Sequence, residues 1–303
     1  MATSAFALHV SIGIWREAVR DRLRRMRTFA TWLLSGLLLC GACGKSGAPD
    51  ARAKILHEHA PRVEKFVLEV MQRHEMGLTH AADRISAGFV KADPAQQENE
   101  MRQVLKMIRN TKRGVPELVI SPMSFLAVVG KDGKCIARDV EPDRMKGMDL
   151  AKLFPVVADA LQGKTGMSMG EFESEDPNNP SVTILMAAPA HYKGEVVGAL
   201  VMGIPLWRLQ QLITKQLQME LSGKESVVIW AYVYRGAEVH HHGTPPDLDK
   251  IVPDEAARKA GYAKSPGGFT GEIQQYGYWY GYGVRPLRIF GPDIGLILVR
   301  MQQ

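Results

Sequence analysis

Two cysteines in the stretch LLLCGACGKSG have a spacing that can support redox, metal or haem chemistry. Cys40 and Cys43 form a C-x-x-C pair, which occurs in all three kinds of site. Haem attachment needs a histidine directly after the second cysteine, where this chain has Gly44. A zinc site needs a second pair of ligands, and the third cysteine, Cys135, is isolated. Because the pair also closes an apolar run, we do not expect it to act as a two-cysteine site.

The residues around the pair indicate a leader sequence. An apolar run of 11 residues, Phe29–Leu39, follows a basic block, which is the order of a secretory signal. Gly41, Ala42 and Cys43 resemble the lipobox of bacterial lipoproteins. This resemblance implies that residues 1–43 are a lipoprotein signal peptide and that Cys43 carries the lipid (palmitate), with a plain cleaved signal as the alternative. Translation can begin at Met1 or at Met26.

The basic excess of the chain lies mainly in this leader. The sequence carries 38 Lys and Arg against 32 Asp and Glu, and residues 1–43 contribute six Arg and two acidic residues. The remainder is close to neutral and has no stripe of basic and aromatic residues, so nucleic acid is not an expected partner. Cys135 lies in a strand-like run and is expected to be a small buried hydrophobic residue.

Three consecutive histidines are a candidate metal site. In a strand, His240 and His242 would share one face, a spacing that can chelate a metal. The next residue on that face is Thr244, and the sequence places no carboxylate beside it. A solvated hairpin explains the same residues, so no metal or other cofactor is predicted. Haem or metal binding through these histidines and the tyrosines is kept as an alternative.

The run YGYWYGYG places a tyrosine at every second position. In a strand, four tyrosines would share one face: Tyr276, Tyr278, Tyr280 and Tyr282. An earlier strand has the same alternation in three residues: Trp230, Tyr232 and Tyr234. If the two faces meet, they form a cage that suits a planar or cationic ligand, with predicted contacts from Trp230, Tyr232, Tyr278 and Tyr280. Aromatic pairs across strands also stabilise a sheet without any ligand.

The sequence offers no constellation on which catalysis would depend. It contains neither G-x-x-x-x-G-K-[ST] nor H-E-x-x-H, the patterns of a phosphate loop and of a zinc protease. Ser, His and acidic residues do not form an arrangement that indicates a nucleophile. The prediction is a protein that is not an enzyme.

Apolar spacing predicts the helices that come first in the chain. One helix is predicted from Ala51 to about Val90, because apolar residues recur every three or four positions; they are Leu56, Val63, Phe66, Val67, Val70, His74, Leu78, Ala81, Ile85 and Phe89. His74, on this stripe, is predicted to be a core histidine. Asp93 is predicted to cap a second helix that begins at Pro94 and ends near Asn110.

Two later regions share one order of elements. In the first, SFLAVVGKDGKCIARD predicts a hairpin with Asp132-Gly133 in its turn, followed by a helix around Leu150–Gln162 and three strands. A helix from Trp207 to Leu221 connects it to the second region. There SVVIWAYVYRGAEVHHHG is again strand, turn and strand, PDEAARKAG is a helix, and three strands end the chain. The repeat predicts two small α+β modules.

The first region resembles a Cache domain, the PAS-like extracytoplasmic sensor module of bacteria. The resemblance lies in VVGKDGKCIARDVEPDRMKGMDLAKLFPVVADALQGKTG and MAAPAHYKGEVVGALVMGIPL. It covers about Ser124 to Leu209, and the long preceding helix matches a double-Cache arrangement. It implies small-molecule binding between the sheet and its covering helices and loops, with no chemistry on the ligand.

The resemblance also directs attention to polar residues of the first region. Amino-acid-binding double-Cache domains hold the carboxylate and amine of their ligand with Tyr, Arg, Trp and Asp side chains. Loose counterparts here are Arg138, Asp139, Arg144 and Tyr192. An arginine can bind a carboxylate through two hydrogen bonds, and an aspartate can accept from an ammonium group. A solvated loop accounts for the same charges.

The complete prediction is an α+β chain with a long N-terminal helix and two PAS-like antiparallel-sheet modules joined by a helix. Its parts are a signal peptide (1–43), a tether (44–50), a helical stalk (51–113), a distal Cache/PAS-like module (114–209), a connecting helix (210–223) and a proximal PAS-like module (224–303).

The predicted function is that of a small-molecule-binding sensor lipoprotein of the cell envelope, without its own output domain and acting with a membrane partner. Gly44 lacks the aspartate that resembles an inner-membrane retention signal, so the outer membrane is the expected address. The alternative is an envelope scaffold whose modules and long helix form a homodimer.

Overall fold

A computed structural model describes residues 48–302, apart from residues 92, 173–180, 223–226 and 244–245. The predicted signal peptide and Cys43 therefore lie outside the described residues. The described part is an α+β structure with helices and two five-stranded antiparallel sheets, as the sequence predicts. None of its helices combines the length and the apolar composition needed to cross a bilayer.

The long N-terminal helix, here called α1, is confirmed. It is α-helical over Ala48–Lys54 and Ala60–Ile85, with a π-helical segment at Ile55–His59 between them and a 3-10 turn at Ser86–Val90 at its end. The predicted stripe is buried along most of its length, at Val63, Val67, Val70, His74, Leu78, Ala81 and Ile85. The helix therefore uses one face to cover the core.

The other helices agree with the sequence in most places. They are α2 (Pro94–Ile108), α3 (Pro116–Val119), α4 (Leu150–Leu153), α5 (Pro155–Leu161), α6 (Leu206–Leu221) and α7 (Glu255–Lys264), with a 3-10 segment at Pro246–Ile251. Asp93 caps α2, as predicted, by accepting from the backbone N–H of Ala95 at 3.2 Å. The short α3 was not predicted.

One segment that was predicted to be a single helix forms two helices. The segment Leu150–Gln162 breaks at Phe154, whose φ of −133° and ψ of 112° are extended, between α4 and α5. The cause is Pro155, because a proline ring clashes with a helical conformation of the residue before it.

The two sheets have the same strand order. The first contains β1 (Phe125–Gly130), β2 (Cys135–Arg138), β3 (Gly166–Phe172), β4 (Ser181–Tyr192) and β5 (Glu195–Pro205), in the order β2-β1-β5-β4-β3. The second contains β6 (Val227–Arg235), β7 (Glu238–His240), β8 (Phe269–Gln275), β9 (Tyr278–Pro286) and β10 (Ile294–Gln302), in the order β7-β6-β10-β9-β8. The repeat found in the sequence is therefore a repeat of topology.

The glycines of YGYWYGYG let the start of α1 approach β9 closely. A Cβ at Gly283 would lie 2.2 Å from Cγ2 of Ile55, and one at Gly281 would lie 3.0 Å from Cβ of Ala51. Any larger residue would overlap the helix. The alternation of tyrosine and glycine thus gives β9 one face for α1 and one face for aromatic packing.

The largest core lies between the sheets and the helices α1, α2 and α6. The opposite face of the first sheet packs against α4 and α5, and that of the second sheet packs against α7 and the 3-10 segment. Cys135 belongs to the first of these outer cores and is 2% exposed. Burial raises the pKa of its thiol to about 12, so it is a hydrophobic residue rather than a nucleophile, as predicted.

Candidate functional site

The aromatic residues of β6 and β9 lie on one face of the second sheet. Strand β10 runs between them, with Val299 paired to both Trp230 and Tyr282. The rings of Trp230 and Tyr280 have centroids 6.3 Å apart. We call this surface the aromatic face; its members are Trp230, Tyr232, Tyr234, Tyr280 and Tyr282. The aromatic side chains of β6 and β9 therefore share one face of the sheet across β10, as the cage hypothesis requires.

Two tyrosines do not occupy the places that strict alternation predicts. Tyr276 is not in a strand, because β8 ends at Gln275 and Tyr276 turns the chain with a φ of 53°. Tyr278 begins β9 and is 55% exposed. The predicted contact from Tyr278 therefore lies at the edge of the sheet, outside the buried part of the aromatic face.

One end of the aromatic face is closed by α7. The hydroxyl groups of Tyr234 and Tyr262 are hydrogen-bonded at 2.7 Å. The buried guanidinium of Arg258 stacks 4.4 Å from the Tyr234 ring and donates to the carbonyl of Pro253. These groups satisfy one another, so this end of the face is structural.

The centre of the aromatic face holds an unpaired hydroxyl group. Tyr232 has an exposed fraction of 0%, and its hydroxyl has no hydrogen-bond partner among the described residues. Burial, and then the negative charge of Asp249, raise the pKa of this phenol, so it is protonated at neutral pH. A buried hydroxyl without a partner is unfavourable by about 1–3 kcal/mol.

A second unpaired group lies on the neighbouring ring. His241 packs edge to face on Tyr232, with centroids 5.2 Å apart. Its Nε2 lies 3.1 Å from Oδ1 of Asp249. Since a carboxylate only accepts, Nε2 donates to Asp249, and in the tautomer with a single proton on Nε2 the other nitrogen, Nδ1, is an acceptor. This Nδ1 is buried and has no partner in the described part of the chain.

Together these groups can bind a ligand that donates hydrogen bonds. Nδ1 of His241 accepts, the Tyr232 hydroxyl accepts or donates, and Asp249 supplies a negative charge behind the imidazole. The surrounding rings favour a cation or a planar group. The sequence did not predict His241 or Asp249, because strand alternation places His241 on the face opposite His240 and His242, and Asp249 lies eight residues beyond His241.

The Tyr232 hydroxyl gives a prediction about stability. Tyr232→Phe is expected to raise the free energy of unfolding by about 1–2 kcal/mol, because it removes the unpaired hydroxyl and keeps the ring. Urea unfolding of the ligand-free protein measures the change, with Tyr276→Phe as the matched control at an exposed turn. A Tyr232→Phe protein less stable than the parent would show that the hydroxyl is satisfied in the folded chain.

The predicted pair of histidines is not on one strand face. β7 ends at His240, whose Nε2 is 3.6 Å from Glu238. The ring of His242 instead packs on Trp207 at 5.3 Å. Within the described residues, no three His, Cys, Asp or Glu side chains are grouped so as to hold a metal ion.

The polar residues predicted in the first module do not converge. The carboxylate of Asp139 is bound by Arg109 at 2.6 Å and by the N–H of Leu126 at 2.7 Å. Arg138 donates to the carbonyls of Val140 and Pro142, and Arg144 is exposed. Tyr192 ends β4, and two strands separate it from Arg138 on β2. A ligand role for these four residues stays a prediction.

One stretch of the sequence has the spacing of a catalytic serine motif. Residues 166–170, GMSMG, fit G-x-S-x-G. In α/β-hydrolases this serine lies on a sharp turn from strand to helix. Ser168 instead lies within β3, paired with Leu185. The match therefore does not build a nucleophile elbow.

Comparison with known proteins identifies the fold. No protein-family model and no curated protein sequence matches the chain. The structure is similar to the sensor domain of the histidine kinase DctB of V. cholerae, with a TM-score of 0.50 and 13% identity over 84% of this chain and 97% of that one.

It is also similar to the ligand-binding domain of the Campylobacter jejuni chemoreceptor Tlp3. The complex with L-norvaline matches with a TM-score of 0.54 and 10% identity over 85% of this chain and 93% of that one. The complex with L-valine matches with a TM-score of 0.52 and 9% identity over 84% and 96%. The described part of the chain has the Cache-type fold of these extracytoplasmic sensor domains.

Proposed function

Because the chain has the fold of extracytoplasmic sensor domains, we propose that it is a Cache-type sensor that binds a small molecule on the aromatic face of the second module. The observation that carries this proposal is the pair of buried, unpaired polar groups, Tyr232 Oη and His241 Nδ1, beside Asp249. Their chemistry favours an amine or another N–H-bearing cation. The Tlp3 domains similar to this chain bind L-norvaline and L-valine, which also carry an ammonium group.

The proposal includes an envelope location and a membrane partner. Cys43 carries the lipid that anchors the protein, with the outer membrane as the expected address, and the modules at 114–209 and 224–303 pass the binding signal to a membrane signalling protein. Labelling cells with a fatty-acid analogue tests the anchor. The label is expected on the parent protein and absent from Cys43→Ser, and label that persists in the variant would contradict the anchor.

Ligand binding is tested on the full chain by thermal unfolding with a panel of L-valine, putrescine, choline and adenine. A compound that binds only the folded protein raises its melting temperature. At least one nitrogen-bearing compound is expected to do so. Asp249→Asn is expected to weaken its affinity about tenfold, because the variant loses the charge behind His241. Tyr276→Phe should bind as the parent does.

Two results would oppose the proposal. A compound that binds to Asp249→Asn and to Tyr232→Phe as tightly as to the parent would place the site elsewhere. No shift with any compound, together with a dimer mediated by α1 in solution, would favour the scaffold alternative.

A further inference from the structure

A cavity that is open to solvent lies apart from the aromatic face, where the two modules meet α6. Its volume is about 570 Å³, within the usual range of small-molecule sites. Pro122, before the first sheet, lines one side, and His242, after β7, lines another. Between them α6 contributes Arg208, Thr214 and Lys215. The walls thus come from both modules and from the helix that connects them.

The residues that line the cavity carry positive charge, and no negative charge among them compensates it. It contains two permanent cations, Arg208 and Lys215, and no acidic residue. Neither cation forms an ion pair with any described residue, in contrast to Arg109 nearby, which is paired with Asp139. Burial and the positive charge of Arg109 lower the pKa of Arg208. An anion in the cavity would relieve this unfavourable field.

Arg208 is held in place with part of its guanidinium unused. Nη1 donates to the carbonyl of Met123 at 2.6 Å, and the guanidinium lies 5.1 Å from the ring of Trp207. A guanidinium has five N–H donors in a planar fork, and the Met123 carbonyl is its hydrogen-bond acceptor in the described part of the chain. A carboxylate or phosphate can take the remaining donors in a two-bond geometry.

A buried glutamine orients the other polar groups of the cavity. Gln210 is 1% exposed, and its Nε2 donates to Thr214 Oγ1 and to the Ala231 carbonyl, each at 2.9 Å. Its Oε1 accepts from the backbone N–H of His242 at 2.8 Å. Because Thr214 Oγ1 already accepts, its own proton is free to be donated towards a ligand.

We propose that this cavity binds an oxyanion, the carboxylate or phosphate group of a small molecule, between Arg208 and Lys215. Arg208 supplies the planar donors, Lys215 a mobile charge about two helical turns further along α6, and Thr214 a hydroxyl. Because Pro122 and His242 belong to different modules, the bound anion contacts both and stabilises their arrangement about α6.

The test uses fluorine NMR of the full chain labelled with fluorotryptophan, with the Trp207 signal assigned from the spectrum of Trp207→Phe. Sodium phosphate and sodium citrate are titrated at constant ionic strength against sodium chloride. A saturable shift of the Trp207 signal is expected, while Trp279 stays unchanged. Phosphate tests whether the cavity binds a phosphate group, and citrate tests whether it binds a carboxylate.

Variants complete the test. Arg208→Gln is expected to weaken binding about tenfold or more, because it removes a charged contact with two hydrogen bonds. Lys215→Gln is expected to weaken binding about threefold, because it removes one exposed charge. Lys215 is exposed, so its variant tests the charge without disturbing the fold, and Lys106→Gln, an exposed cation of α2, is the matched control. The proposal would be overturned if neither phosphate nor citrate produced a saturable shift of the Trp207 signal. Equal binding by Lys215→Gln and the parent would also overturn it.

Discussion

Replacement of Arg102 by Ala is expected to lower the free energy of unfolding by about 3 kcal/mol, because it removes the nearest cation from a buried carboxylate. The side chain of Asp143 is 4% exposed and lies 2.8 Å from the guanidinium of Arg102. The same guanidinium also contacts Glu98 at 3.1 Å and Glu141 at 2.7 Å. Arg102 therefore ties α2 to the loop that follows β2.

The expected loss lies at the low end for a broken buried pair, which is about 3–5 kcal/mol. The reason is that Asp143 keeps Arg138, whose backbone N–H donates to the carboxylate at 2.9 Å and whose Nε lies 3.8 Å from it. Urea unfolding at neutral pH measures the change. The control is Lys146→Ala, whose ion pair with Glu98 at 2.6 Å involves a 55% exposed lysine; such a pair contributes less than about 1 kcal/mol. If Arg102→Ala and Lys146→Ala lowered the free energy of unfolding equally, the burial of Asp143 would not be what makes the Arg102 ion pair important.

His74 is expected to make the protein lose stability in mild acid. Burial, and then the charge of Arg73, lower the pKa of this histidine from 6.5 to about 4. Between these two values the unfolded chain binds a proton that the folded protein does not, so stability falls as the pH falls. The difference of pKa corresponds to about 3 kcal/mol, fully present above pH of about 6.5 and lost by about 4.

The measurement is the free energy of unfolding of the parent and of His74→Met across this range. The variant should lose most of the pH dependence, because methionine does not titrate. His80→Gln, at an exposed position of the same helix, should keep the parent's profile. Other buried groups such as His240 titrate equally in parent and variant, so the difference between the two curves isolates His74. Parallel curves would contradict a neutral, buried His74.

Local sequence was sufficient where the structure depends on local chemistry. Asp93 and Pro94 begin a helix because a side-chain acceptor and a fixed φ suit its first turn. Gly133 turns the hairpin with a φ of 81°, as the Asp-Gly pair predicts. The repeated order of elements in the two halves predicted a repeated sheet, and both sheets have one strand order.

Contacts between distant segments could not be predicted. Asp139 seemed available to a ligand because its partner, Arg109, lies 30 residues earlier, at the end of α2. His241 was not predicted because alternation in a strand places it on the face opposite His240 and His242, whereas β7 ends at His240. The glycines of β9 alternate with its tyrosines because α1 lies close to the strand, a tertiary contact that no local pattern contains.

The central claim is that a small molecule binds at the aromatic face, and the Trp230 signal tests it most directly. Of the five tryptophans, Trp207, Trp230 and Trp279 lie in the described part, in three different environments. Fluorine NMR of the full chain labelled with fluorotryptophan follows all three as L-valine, putrescine, choline or adenine is added.

We predict that the compound that raises the melting temperature shifts the Trp230 signal saturably and leaves Trp279 in place. In Asp249→Asn the same shift should need about tenfold more of the compound. A compound that stabilises the protein while the Trp230 signal stays fixed would contradict the claim.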